Sequence, residues 1–184
     1  MSGEAGGADV SCRVAWADDA EDVAAVQVRA WRTSYAELLP AELLDSLDPA
    51  ELATGWRESL VRPVDARQRA LVSLESNTVT GFAITSPAAD PDADAVADGE
   101  ISDLTIDPDH RGRGHASRLM QACVDTLVAD GFTIALTWVN ATDDVLRGFL
   151  TDAGWVADGA HRELDLRGDG AVRVKQVRMH TAIA

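Results

Sequence analysis

"EISDLTIDPDHRGRGHASRLM", Glu100–Met120, reads as three joined pieces. Residues 100–106 form a short, largely apolar run bounded by acidic and proline-containing sequence, which predicts a central strand. Residues 107–114 hold two glycines and two arginines, and from His115 onward apolar residues recur at helical spacing. Ala116, Leu119, Met120, Cys123, Leu127 and Val128 make one stripe, and Gly131 is a natural C-terminal cap. A strand, a glycine loop and a helix start together form an anion site. The first helical N–H groups lack intrahelical partners and the helix dipole adds positive character there. Arg111 and Arg113 add charge, and Gly112 and Gly114 let the backbone approach a phosphate. Neither G-x-x-x-x-G-K-[ST] nor G-x-G-x-x-G is present, so the loop fits neither of these nucleotide fingerprints.

This basic cluster stands against an acidic background. The 184 residues carry 16 Lys+Arg against 31 Asp+Glu, a formal net charge of −15. Such a chain repels phosphate backbones, which argues against nucleic acid as a partner, and it suits cationic small molecules. No apolar stretch approaches the roughly 20 residues that cross a bilayer, and the start lacks the pattern of a secretory signal. A cytoplasmic protein without membrane association is expected. Length and composition suit one domain, here residues 12–184, behind a flexible tip at 1–11. Cys12 and Cys123 have no metal or redox spacing and read as buried or idle thiols. No ligand spacing among the histidines points to a metal.

Outward from the central stretch, "CRVAWA" is a strand candidate, with Asp18 or Asp19 able to cap the helix that follows. That helix places Val23, Val26, Ala30 and Trp31 on one stripe. Residues 41–60 are a second helical region interrupted near Pro49. "RALVSLESNTVTGFAITS" predicts a hairpin turning at Ser76–Asn77. "PAADPDADAVADG" is a loop whose aspartates, prolines and alanines bury too little to order themselves. "TIALTWV" is a strand, "DDVLRGFLTDA" a short helix ending at Gly154, and two more strands flank the Gly168–Gly170 turn. Trp138 and Trp155 fall at strand positions and are expected in the core.

The pattern R-G-R-G-H-A after a strand and "DP" resembles the GNAT family of N-acetyltransferases, which binds acetyl coenzyme A through a Gln/Arg-x-x-Gly-x-Gly/Ala loop. Arg111, Gly114 and Ala116 fit those three positions. "LTDAGW" is similar to the family's later Tyr-x-x-x-Gly-Phe/Trp signature, and "VRAWRTSYAELLP" to the first helix and following loop of many members. The resemblance implies an α/β (α+β) GNAT fold, a mixed central sheet of about six to seven strands flanked by about four helices. It also implies acetyl-CoA as acetyl donor, no metal, and direct transfer to a small-molecule or peptide amine, with a homodimer as a compatible assembly.

The same resemblance assigns roles. The coenzyme contacts would come from Leu104, Thr105 and Ile106 on the strand, from Arg111, Gly112, Arg113, Gly114, His115, Ala116 and Ser117 in the loop and helix start, and from Asn140. His115 would serve through its backbone N–H. Glu100 lies fourteen residues before Gly114, the spacing of the glutamate base in histone-acetylating members. Asp103 is the second candidate base, since a family bulge in this strand would turn it inward. The chain departs from the family where many members carry a tyrosine to protonate the leaving thiolate. That position is Leu150, on a helix expected to present it toward the thioester, and the family's asparagine seven residues earlier is Asp143. Tyr35, the only tyrosine, borders the acceptor region in relatives and would substitute as proton donor, or else pack on Trp31. A fold that binds acetyl-CoA without catalysis is the alternative reading.

Overall fold

Residues 9–184 are described by the computed structural model; the expected N-terminal tip lies mostly outside them, and its last residues, Val10 and Ser11, instead pair with β2 as the start of the first strand. Seven strands form one sheet in the order β1-β2-β3-β4-β5-β7-β6: β1 Val10–Val14, β2 Arg69–Glu75, β3 Thr78–Pro87, β4 Asp98–Ile106, β5 Ile134–Asn140, β6 Val156–Asp165 and β7 Arg173–Ala182. All neighbours pair antiparallel except β4 and β5, the parallel pair at the centre. Five α-helices are described: α1 Ala20–Ser34, α2 Ala41–Asp45, α3 Pro49–Val61, α4 His115–Ala129 and α5 Asp144–Asp152. Pro49 sits in the first turn of α3, where its missing N–H costs nothing, and Asp48 caps that helix by accepting from the Ala50 N–H.

The helices cover both sheet faces. Val23 and Val26 of α1 join Trp56 and Leu60 of α3 over Val72, Val79 and Phe82. On the other face Leu119, Met120, Cys123 and Leu127 of α4 meet Ile101, Ala135, Val139, Leu150 and Trp155. The hairpin turns at Ser76 and Asn77, both at positive φ, the backbone that a two-residue turn between twisted strands requires.

Several side chains depart from expectation. Trp31 is 36% exposed on α1, because the buried stripe runs through Val23, Val26 and Ala30. Asp19 occupies the N-cap of α1 but leaves the helix uncapped. Its carboxylate instead accepts from Arg13 at 2.7 and 2.9 Å and from the Trp16 N–H. Trp155 is core, whereas Trp138 is only half-buried, with Arg162 stacked 4.4 Å from its ring. The expected reason is polar: its indole N–H donates to Asp90 at 3.0 Å, which draws the ring to the sheet surface. Leu150 is 0% exposed, sealed in the α4-side core rather than presented to an open site. The thiols of Cys12 and Cys123 are free, and burial pushes Cys123 up to about 12, where it stays protonated and inert.

Candidate active site

β4 and β5 are held together only where Asp98–Glu100 face Ile134–Leu136, with one further tie from the Thr137 hydroxyl to the Ile101 carbonyl. Beyond that point the two strands separate. β4 keeps its antiparallel ladder with β3, while the side toward β5 leaves Leu104, Thr105 and Ile106 without a strand partner. The Thr105 carbonyl faces Gly81 of β3, so the peptide groups of Leu104 and Ile106 are the ones available to an extended ligand, which could pair with them as a strand would.

The separation begins at a bulge. The β3–β4 register slips between Phe82 and Ile84, and Asp103 takes φ +54°, an uncommon backbone for a residue with a side chain. The Thr105 hydroxyl donates to the Asp103 carbonyl at 2.8 Å and fixes the bend. Without this extra residue Asp103 would follow the strict alternation of the strand, so the bulge sets where its carboxylate points.

At the far end of the opening, β4 runs into the loop of residues 107–114. Gly112 and Gly114 have φ of +75° and +81°, and Gly114 is the N-cap of α4. A Cβ at Gly114 would meet only the guanidinium end of Arg118, at 2.9 Å, so backbone conformation and not neighbouring bulk demands glycine there. Residues 111–114 and Ser117 are exposed, which leaves the loop and helix start open to a ligand. The cradle thus fits a pyrophosphate in three respects: uncapped N–H groups, glycine backbone, and the arginines Arg111 and Arg113.

Two anchors hold this loop. Asp107, nearly buried, accepts from Arg29 of α1 at 2.5 and 3.1 Å and from the Asp109 N–H at 3.1 Å. Burial opposes ionisation of Asp107, but these bonds outweigh it and keep its carboxyl below the usual range. The second anchor is His115, whose whole side chain is buried, 1% exposed. Its Nδ1 lies 3.3 Å from the Thr80 hydroxyl and its Nε2 3.0 Å from the Glu75 carboxylate, which also faces Arg113 at 3.6 Å. The ring therefore ties the helix start to the β2–β3 hairpin, a task added to that of its backbone N–H.

The chemistry-bearing side chains gather at the opening on the face shared with α1. Glu100 is half-buried, with the Ala89 N–H facing its carboxylate. Burial, followed by the charge of Asp90, raises its pKa; Arg162 opposes this and Asp103 adds to it. Asp103, expected to turn inward, is exposed because the bulge swings it out of the sheet; the protein around its carboxyl still raises its pKa, against the pull of Arg162. Tyr35 packs edge-on to Trp31, with ring centroids 6.3 Å apart, and its phenol lies against the Asn140 side chain. Burial raises its pKa, so the phenol stays protonated at neutral pH. The packing of Tyr35 on Trp31 is the arrangement observed.

Asn140 is the hub of a directed chain. The Arg162 guanidinium donates to Gln176 Oε1 at 2.8 Å, and Gln176 Nε2 donates to Asn140 Oδ1 at 3.1 Å. With its oxygen so occupied, the Asn140 amide N–H group faces the phenol, and the Tyr35 O–H is free to donate elsewhere. Sequence reasoning missed Gln176, Arg162, Glu75 and Arg29. They lie on remote segments with no local motif, and only Asp107 stood inside the informative stretch. Asp143, which replaces the family's asparagine, serves as N-cap of α5 by accepting from the Leu146 N–H.

Comparison with known proteins decides the family. The model of the acetyltransferase (GNAT) family matches residues 27–155, well over half the chain. The chain belongs to the GNAT acetyltransferase family. YuaI of Bacillus subtilis, an N-acetyltransferase by description, is 28% identical over 130 residues, 71% of either chain. The fold is shared with solved acetyltransferases at 16% identity. PaiA N-acetyltransferase from Thermoplasma acidophilum, solved with coenzyme A, has a TM-score of 0.69 over 95% of this chain and 99% of its own. An N-acetyltransferase from Staphylococcus aureus Mu50 reaches 0.73, over 96% and 99%. YncA from Salmonella typhimurium, solved with acetyl-CoA, reaches 0.66, over 95% and 94%. The seven-stranded mixed sheet is the expected α/β GNAT fold. Among the described residues, no helix is long and apolar enough to cross a membrane.

Proposed function

We propose that this GNAT protein transfers an acetyl group from acetyl-CoA directly to a primary amine, both substrates being bound together. The observation that carries the proposal is the meeting of Glu100, Asp103 and Tyr35 at the mouth of the β4–β5 opening, whose other end leads to the Gly112–Gly114 cradle. The cradle and the arginines would hold the pyrophosphate, and Leu104 and Ile106, on either side of Thr105, would pair with the pantetheine amides and orient the thioester.

An ammonium ion cannot attack, so the acceptor must first lose a proton. Glu100 is positioned to take it, directly or through one water, and its raised pKa brings its basicity nearer to neutral pH. Asp103 is the alternate base. The amine nitrogen forms its bond to the acetyl carbon, the carbon–sulfur bond breaks, and the electron pair leaves with the coenzyme sulfur. Tyr35 supplies the proton for that sulfur, the nitrogen gives its second proton to water and becomes the neutral amide, and water returns a proton to Tyr35. Asn140 donates to the phenol oxygen and leaves its O–H directed outward, a function that Leu150 cannot perform from the core.

The sealed position of Leu150 favours a second reading, a coenzyme-binding sensor without catalysis. Thiol release from acetyl-CoA, measured across polyamines, aminoglycosides, amino acids and peptide N-termini, separates the two. The transferase reading requires release that depends on an amine and yields the acetylated amine. Tight coenzyme binding with amine-independent background release would favour the sensor.

A further inference from the structure

Arg178 of β7 is the most heavily engaged side chain outside the machinery described so far. It lies directly across from Trp138 of β5 and is buried. Its guanidinium donates to Asp92 at 2.7 Å twice, to Asp158 of β6 at 2.7 Å and to Asp90 at 3.2 Å. Asp90 and Asp92 both belong to the acidic β3–β4 loop, whose turns close through bonds of Asp90, Asp94 and Asp98. Arg178 adds the tie that fixes this loop to β7. The indole N–H of Trp138 donates to the same oxygen of Asp90 and sets that carboxylate from a second side.

Ser86 near the end of β3 is paired with Glu100, and the loop that follows brings Ala89, the residue beside Asp90, to face the Glu100 carboxylate with its N–H. We propose that Arg178 is a positioning residue for Glu100: by clamping Asp90 and Asp92 it seats the β3–β4 loop on the acceptor side of β4, so that the Ala89 N–H aims the carboxylate and the loop shields it from water. The inference rests on Glu100 acting as base. It assigns a catalytic consequence to a residue that touches neither substrate.

The groups facing Glu100 are Asp90 and the Ala89 N–H from the loop, Asp103 from β4 itself and Arg162 from β6. If the loop withdraws, Glu100 regains water and loses the repulsion of Asp90, the two largest causes of its raised pKa. The Ala89 bond, which acts the other way, is the smallest. The net change is downward, toward an ordinary glutamate near 4.3.

The test uses the full chain labelled with 13C at the glutamate side-chain carboxyl, with the Glu100 signal identified by its loss in Glu100→Gln. Arg178→Lys keeps the charge but loses the planar fork that grips two aspartates. Its Glu100 midpoint should fall by about half a pH unit or more, and turnover with the most active amine of the panel should drop about 10-fold to 10²-fold. Acetyl-CoA affinity should stay unchanged. A purely structural arginine would lower the melting temperature and leave the Glu100 midpoint in place. If Arg178→Lys does not fold, Asp92→Asn decides, because that carboxylate is largely exposed and its loss loosens only the loop end of the clamp. An unchanged midpoint in the deciding variant overturns the proposal. Should Glu100→Gln retain full turnover, the base reading fails on its own, while the midpoint still reports whether the clamp positions the carboxylate.

Discussion

Glu100 answers two opposed demands. A base that works near neutral pH needs its proton affinity raised, and burial supplies this at the expense of the folded state, which must hold a poorly solvated carboxylate. The sign of the stability effect follows. A folded pKa above the unfolded one favours the folded state at low pH and penalises it once both forms are ionised. Glu100→Gln should therefore melt no lower than wild type at pH 7, while wild type gains relative to it as pH falls toward the ordinary glutamate range. A marked loss of melting temperature in Glu100→Gln at pH 7 would mean that the carboxylate is structural. Leu150 gives the opposite lesson. Its side chain fills the α4-side core, so Leu150→Tyr should overpack that core by about 1–3 kcal/mol and bring no gain in turnover. Tyr35→Phe is the change expected to lower it. Faster turnover in a stable Leu150→Tyr would transfer the donor role to α5.

The strand–loop–helix element spanning residues 98–129 was legible because its signals are local. A β-rich apolar run, two glycines and a 3.6-residue stripe each act through neighbours in the chain. The hairpin turn at Ser76–Asn77 and the break at Pro49 were legible on the same ground. What escaped was tertiary. The phase of α1 exposes Trp31, the phase of α5 buries Leu150, and Trp138 turns toward Asp90, 48 residues away. The composition of the β3–β4 loop pointed to no internal order, yet Asp94 and Asp98 close its turns by bonds to nearby backbone, and nothing local announced an arginine 86 residues on. At Gly114 the element makes its own demand. A valine at φ +81° is strained by roughly 1–2 kcal/mol or more, and relief of that strain would tilt the first N–H groups of α4 away from the phosphates. Gly114→Val should weaken acetyl-CoA binding about 5-fold to 30-fold or more by calorimetry. Unchanged affinity would place the coenzyme elsewhere.

Across the molecule, the opening depends on ties between distant segments. Arg29 of α1 reaches 78 residues along the chain to Asp107, and His115 joins α4 to the β2–β3 hairpin through Glu75 and Thr80. The Asp107 tie is readable in solution. Its folded pKa lies below the ordinary aspartate value, so the stability it contributes is complete above about pH 4 and disappears as pH falls through the folded value. Asp107→Asn should melt below wild type at pH 7, by the equivalent of about 1.5–3 kcal/mol, and the gap should close on acidification. A gap that persists unchanged to the acid unfolding limit would show that shape, not charge, anchors the loop.

These ties all serve one arrangement, a coenzyme cradle at one end of the β4–β5 opening and a tuned carboxylate at the other. The pH dependence of single-turnover acetyl transfer, with acetyl-CoA and an active amine both saturating, compares wild type with Glu100→Gln and tests that arrangement most directly. The rate in wild type should rise with pH through a midpoint above the ordinary glutamate value of about 4.3, as the raised pKa of Glu100 requires. In Glu100→Gln that step should vanish and the plateau should fall about 10²-fold to 10⁴-fold, with coenzyme affinity preserved. Superimposable profiles for the two proteins would contradict the assignment of Glu100 as the base.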